Sequence, residues 1–456
     1  MIRSLCVIGC LALSFNVADT SRSQTTAMPR TPVDASPYEY EVKPDHPAFA
    51  KFNLRKAPQP GPLIFEKGDR LAICGDSITE QRRYSQIIET YLTACTPQLE
   101  ITVRQYGWSG EKTDGFLRRM EQDCLRFKPD VATLFYGMND SRYRPFDVTN
   151  GLWYADHYRQ IVRNFKDSDV RVVLGGPGSA GKLASWVKSR VGSLDDHNLH
   201  LAALRDIAIE LARREDVALA DVFWPMYQAQ VFGPEQHHAT EENPYEVAGA
   251  DGIHPGWAGH AVIAYAFLRA MGLDGRIGEF TLDWDSGDCE CSDGHTVQSY
   301  DDGLLTIVSE RYPYCARGDL DDDDSIASGI SLVPFQEDLN QFRLTVANLP
   351  SGAYQVTWGE TTRNYDANEL AAGVNLAADF AENPFSAAFA RVEVAVAAKQ
   401  KFETHQIKQV FHGEEGKADF EKAVASTEAQ RLPLAEAIAA ARQSVEHQIR
   451  IRRADN

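Results

Sequence analysis

The chain has 456 residues, 43% of them apolar and 24% charged, with a formal net charge of -19 at pH 7. That length exceeds one ordinary core, so two or three domains are expected. The acidic balance argues against a nucleic-acid partner and against attraction to an anionic membrane surface, since such partners select basic patches.

Met1 to Ala18 reads as a secretory signal, with Arg3 as the positive start and Leu5 to Phe15 as an apolar stretch too short to span a bilayer. Export to the periplasm, cell surface or medium follows. Val7-Ile8-Gly9-Cys10 resembles a lipoprotein box, but the apolar stretch before it is very short, which favours plain export over anchoring at Cys10. No later segment is long and apolar enough for an integral membrane span. Residues 19–68 carry a run of prolines from Pro29 to Pro62 and form a leader, packed on a domain or left mobile.

From Asp69 the pattern changes. Leu71–Cys74, Ile101–Val103, Val131–Phe135, Val170–Leu174 and Val217–Ala220 read as strands. Helical candidates lie near Tyr84–Thr93, Gly115–Arg126, Tyr154–Phe165, Asn198–Arg213 and Trp257–Met271. This alternation predicts an α/β domain over residues 69–275, a parallel sheet covered on both faces. Its ligand site should lie at the carboxyl ends of the strands, where the strand order reverses. Residues 276–369 read as a small antiparallel β-rich domain, with strands near Leu304–Val308, Phe342–Val346 and Tyr354–Trp358. Residues 370–456 read as a helical tail, with Glu415–Arg453 a helix or hairpin interrupted at Pro433.

Four short segments sit where chemistry is expected. Gly75-Asp76-Ser77 ends the first apolar run, Ser109-Gly110 follows the second, and Gly137-Met138-Asn139-Asp140 follows the third. Asp251-Gly252-Ile253-His254 precedes the last helix of the α/β domain. A serine hydroxyl is a poor nucleophile until a neighbouring base takes its proton, and an oxyanion needs fixed donors. Ser77 supplies the hydroxyl. His254, three residues after Asp251, supplies a base with a carboxylate for its second ring nitrogen. Gly110 lets an acyl oxygen approach its N–H closely, and the Asn139 amide can donate where an aspartate could not. Each segment alone has an ordinary reading, a capping turn at Asp76-Ser77 or a capping histidine at His254. The ordered set points instead to a serine hydrolase needing no cofactor and no metal, with Asp76 and Asp140 holding loops.

These segments resemble the signature blocks of the SGNH (GDSL-type) hydrolases over roughly Asp69 to Leu273. The resemblance implies a flavodoxin-like three-layer α/β/α domain and esterase or acyl-hydrolase activity. It assigns the nucleophile to Ser77 and the other triad members to Asp251 and His254. The oxyanion hole falls to the N–H groups of Ser77 and Gly110 and the Asn139 side chain. Ile78 replaces the family's leucine, an apolar exchange.

Six cysteines remain outside the signal. Cys95 with Cys124, and Cys315 with Cys289 or Cys291, are the plausible bridges in an exported chain, while Cys74 reads as a buried thiol. Cys289-x-Cys291 is too close for the usual zinc spacing. The acidic run Asp319–Asp324 lacks an EF-hand's spacing and reads as a solvated loop rather than a calcium site. His237 and His238 read as part of a surface loop.

Segments 175–193 and 223–250 flank the expected rim and are read as pocket-shaping loops. Trp108, Tyr136, Tyr143, Trp153, Trp224 and Tyr227 lie near them, available to stack on sugar or to pack a core. An exported enzyme without a broad apolar lid points to short acyl groups, acetyl foremost, on a small-molecule or polysaccharide ester. The alternatives are a lipase or phospholipid acylhydrolase, or a carbohydrate-binding or scaffold protein with a vestigial hydrolase domain. The complete set of reactive residues counts against the last. No oligomeric state is specified.

Overall fold

The computed structural model describes residues 38–188 and 191–454. The signal segment and Cys10 lie outside them. The apolar runs form a five-stranded parallel sheet: β1 (Arg70–Gly75), β2 (Thr102–Gln105), β3 (Val131–Phe135), β4 (Arg171–Gly175) and β5 (Ala218–Ala220). Their spatial order is β2-β1-β3-β4-β5. Leu71, Ile73, Val131 and Phe135 enter one apolar layer, and Ala72, Cys74, Ala132 and Leu134 enter the other. Burial on both faces is why these strands read as continuous apolar runs rather than alternating ones.

Seven helices follow the strands: α1 (Ser77–Glu80), α2 (Arg83–Ala94), α3 (Thr113–Asp123), α4 (Val148–Lys166), α5 (Leu194–Glu215), α6 (Phe223–Gln236) and α7 (Trp257–Ala270). Tyr84, Ile87 and Phe267 of α2 and α7 cover one face of the sheet. Phe116, Tyr158 and Leu204 of α3, α4 and α5 cover the other. This is the flavodoxin-like α/β/α arrangement, and the strand order reverses between β1 and β3, opening a crevice at their carboxyl ends.

Two expectations fail here for packing reasons. Residues 223–250 are not wholly loop, because α6 fills their first half. Its Trp224 and Tyr227 pack edge-on against Phe49 and Phe52, with ring centroids 5.2 Å apart for Phe49–Trp224 and 4.7 Å for Phe52–Tyr227. The later part of the leader is therefore bound to the α/β domain. The bridge between Cys95 and Cys124 is also excluded. Cys95 lies in one apolar layer beside Cys315, and Cys124 lies in the other beside Cys74, with the sheet between them. All six described cysteines are free thiols, and burial pushes that of Cys74 well up.

Downstream strands are β6 (Arg276–Asp283), β7 (Cys289–Cys291), β8 (His295–Asp301), β9 (Leu304–Ser309), β10 (Gln341–Ala347), β11 (Ala353–Trp358), β12 (Thr361–Asp366), β13 (Val374–Asn375) and β14 (Val445–Arg453). They make two sheets, ordered β13-β10-β6-β7 and β12-β11-β14-β9-β8. The first is not purely antiparallel, since β6 and β10 run parallel. Ile277, Leu305 and Trp358 share one buried cluster with Tyr84 and Phe267, so apolar packing is continuous from the α/β domain into these sheets.

The tail departs most from expectation. Helix Phe420–Ala441 runs through Pro433. Bonds from Arg104 to Glu428 and from Arg431 to Glu403 hold the turn before the proline. The chain then ends not in helix but in β14, which fills the gap between β9 and β11. His447, Ile449 and Ile451 are buried there while intervening residues are not, a period-two pattern that only a sheet can use.

Candidate active site

Gly75 ends β1 because α1 turns back over it: a Cβ there would stand 2.0 Å from Thr79 Oγ1 and 2.8 Å from the Phe135 carbonyl oxygen. Asp76 then caps α1, its Oδ1 accepting the Ile78 N–H at 3.0 Å. Ser77 thus stands at the first position of a helix at the crevice, its own N–H among those left free by helix geometry. The loop after β2 presses directly on α1, since a Cβ on Gly107 would fall 2.2 Å from Glu80 N. Gly110 follows in the left-handed region, φ +73°, with open space on its Cβ side.

His254 arrives from the other direction. Gly252, at φ +76°, lies so close to the loop after β4 that a Cβ would meet Lys182 N at 2.2 Å. Asp251 Oδ1 accepts the N–H groups of Ile253 and His254, both at 2.8 Å. Its Oδ2 stands 2.7 Å from His254 Nδ1, and His254 Nε2 stands 2.8 Å from Ser77 Oγ. Burial works to raise the Asp251 pKa, but the hydrogen bonds from His254 and Ile253 outweigh it and hold the carboxyl below its ordinary range. An ionised Asp251 can only accept, so the proton of His254 lies on Nδ1 and Nε2 faces Ser77 Oγ.

Asn139 faces the same crevice. Its Nδ2 donates to Asp76 Oδ2 at 3.2 Å and to the Glu111 carbonyl at 3.1 Å, while its Oδ1 accepts from Tyr143 OH at 2.8 Å. The Glu111 carbonyl can only accept, so the nitrogen must face it and the orientation of the amide is determined. Asp140 instead binds the start of α3, accepting Thr113 N–H at 3.0 Å and Thr113 Oγ1 at 2.7 Å. Burial pushes Asp76 up to about 7 against the Ile78 hydrogen bond, and pushes Asp140 up to about 6 against those from Thr113. Both anchor loops.

Ser77, Gly110, Asn139, Asp251 and His254 therefore all reach the one crevice. The aromatics divide differently. Trp224 and Tyr227 belong to the core, and Tyr136 is buried with its hydroxyl on Glu111 Oε2 at 2.9 Å. Tyr143 is at the site, and so is Trp186, which had no distinguishing sequence pattern. The Trp186 ring centre is 5.6 Å from that of His254 and the residue is 45% exposed.

His237 and His238 lie in the turn after α6, and only His238 is exposed as expected. His237 is buried, stacked on Tyr245 at 4.4 Å. The acidic run also holds structure together. Asp324 Oδ1 accepts the Trp257 N–H at 3.1 Å and the Asp323 carbonyl accepts the Ala258 N–H at 3.1 Å, capping α7 just after His254.

Residues 73–262 match the family model of the GDSL-like lipase/acylhydrolases. An acetylxylan esterase of Geobacillus stearothermophilus is 24% identical over 229 residues, 45% of this chain and 95% of that protein. A solved structure described as a gut microbial diltiazem-metabolizing enzyme is similar over 87% of this chain and all of its own, with a TM-score of 0.66 and 22% identity. That likeness in fold extends well beyond the family segment, into the sheets and helices downstream. The chain carries a GDSL-like lipase/acylhydrolase domain over residues 73–262 and is an ester hydrolase.

Proposed function

We propose that the protein is an exported esterase that removes short acyl groups, acetyl foremost, from a carbohydrate. In this reading Ser77 attacks the ester carbonyl while His254 takes its proton, and Asp251 balances the imidazolium. The N–H groups of Ser77 and Gly110 receive the oxyanion, and the Asn139 amide joins them by giving up its longer bond, the one to Asp76. His254 then protonates the leaving alcohol, and water repeats the sequence to release the acid. The observation that carries this is the unbroken chain Ser77 Oγ–His254–Asp251, with contacts of 2.8 and 2.7 Å.

The acyl and acceptor classes rest on softer support. The relative named for acetylxylan matches over 45% of this chain and 95% of its own length. Half-exposed Trp186 beside His254 offers an aromatic face of the kind sugars stack on. Among the described residues no helix is long and apolar enough to cross a membrane.

Hydrolysis of p-nitrophenyl esters from acetate to palmitate, with Ser77→Ala in parallel, tests the reading. Acetate should turn over fastest, and the variant should lose about 10⁴-fold or more. A preference for palmitate would transfer the protein to the lipases. Equal activity in both proteins would overturn the assignment of Ser77.

A further inference from the structure

Glu80, the last residue of α1, joins two parts of the molecule that are distant in sequence. One carboxylate oxygen accepts the backbone N–H of Ser109, the residue before Gly110. The two oxygens also accept from Lys408 Nζ, at 2.7 and 2.8 Å. Lys408 lies in one turn of π-helix, Gln406–Phe411, which continues the helix Ser386–His405. Such turns are rare and frequent at functional sites. Neither lies within the family segment 73–262.

The same turn grips the rest of the loop. Lys408 Nζ lies 5.3 Å from the centre of the Trp108 ring, and His412 packs edge-on against that ring at 4.9 Å. Thr404 Oγ1 accepts from Gln105 Nε2, and Gln105 Oε1 accepts the Gly107 N–H at 2.9 Å. Gly110 itself has nothing packed on its Cβ side. The direction of its N–H therefore depends on anchors on either side of it. Glu80 is one of them, and it is also a carboxylate three residues from Ser77, near where negative charge develops in ester hydrolysis.

We propose that Lys408 is a positioning residue for the oxyanion hole. Paired with Glu80, it fixes the Ser109–Gly110 loop and cancels a carboxylate charge beside the developing oxyanion. The C-terminal helical region is thereby part of the esterase site rather than an appendage. This rests on the reading of Ser77 and Gly110 given above. Oxyanion donors act through preorganisation, and small misplacements are costly even when made from outside the reacting groups. Losing Lys408 should therefore impair turnover more than binding.

The test uses the full chain with p-nitrophenyl acetate. Lys408→Met should lower kcat about tenfold with KM changed less than about twofold, and Lys408→Arg should recover most of the loss. Arg126→Gln is the control. It breaks a contact of the same helical region, Arg126 with Glu421 at 2.8 Å, away from the loop, and should leave kcat unchanged at a similar melting temperature. If Lys408→Met is not recovered folded, Lys408→Gln, which keeps a donor but no charge, is read in its place against the same expectation. A folded Lys408→Met or Lys408→Gln with the kcat of Arg126→Gln overturns the proposal. Ser77→Ala separates the two failures: if it stays active the site reading falls, and if it is inactive while Lys408 variants are unaffected, only this inference falls.

Discussion

At the rim of the parallel sheet, Ser77, Asn139 and His254 are held by glycine turns and by hydrogen bonds from within the α/β domain. Behind edge strand β2 the same sheet is held by charges from the far end of the chain. There Lys399 Nζ stands 3.0 Å from Glu89 Oε1 and 2.9 Å from Glu403 Oε1, all three buried. Arg431 reaches Glu403 at 2.7 Å and the Val103 carbonyl at 3.2 Å, and Glu403 Oε2 accepts the Gln105 N–H at 3.2 Å. An edge strand must have its free backbone groups covered or paired, and here side chains of the C-terminal helices do it. On the proposed function the rim carries the reaction, while the edge serves attachment. The difference teaches that one sheet can carry chemistry at its strand ends while its side is closed by a distant region, and that Glu80 is where the two meet.

Substitutions should separate the two regions. The largest effect belongs at the rim: if Asp251 orients His254 as proposed, Asp251→Asn should cost about 10⁴-fold in kcat, while leaving the urea midpoint nearly unchanged. A stability loss comparable to the activity loss would show that the rim and the edge are not independent. Next in size, Lys399→Met should invert that pattern. It leaves Glu403 and Glu89 buried without their lysine, at a cost of about 3 kcal/mol in unfolding free energy, with little change in the kcat of the folded fraction. Equilibrium denaturation alongside active-site titration reads both quantities.

The smallest effect sharpens the contrast at a single carboxyl. Asp76 is raised from 3.8 to about 7 in the fold, chiefly by burial. Between those values the folded chain retains a proton that the unfolded chain releases. The contribution of Asp76 to stability therefore falls as pH rises through that window, and the penalty is complete above about 7. Asp76→Asn removes the titration, so its melting temperature relative to the parent should rise from pH 4 to pH 8. A difference independent of pH would mean that Asp76 stays ionised throughout.

How much of this was legible depends on the range of the interaction. The five strands and the residues that meet at the rim could be read because each rests on local physics: an apolar run, a glycine where the backbone must turn, a histidine three residues from its carboxylate. Tyr143 was visible as an aromatic but not as the holder of Asn139, since that role depends on loop shape. Cys95 and Cys124 looked pairable along the chain and are separated by a sheet that only folding creates. His237 read as solvated because polarity in sequence does not disclose a partner, yet it is stacked on Tyr245; the Asp319–Asp324 run is the exposed loop expected, and its last residue also caps α7.

By itself, then, the sequence determined the α/β alternation, the strand-end positions of Ser77, Gly110 and Asn139, and the Asp251–His254 spacing, because these follow from nearest-neighbour geometry and strand period. Tertiary structure decided the fate of Val445–Arg453, which becomes β14 only because β9 and β11 leave a place for it. It decided too that Lys399, Lys408 and Arg431 point inward. A charged side chain is buried only when a partner is already in place to meet it, and those partners lie on α1, α2 and in the C-terminal helices, where no local pattern announces them.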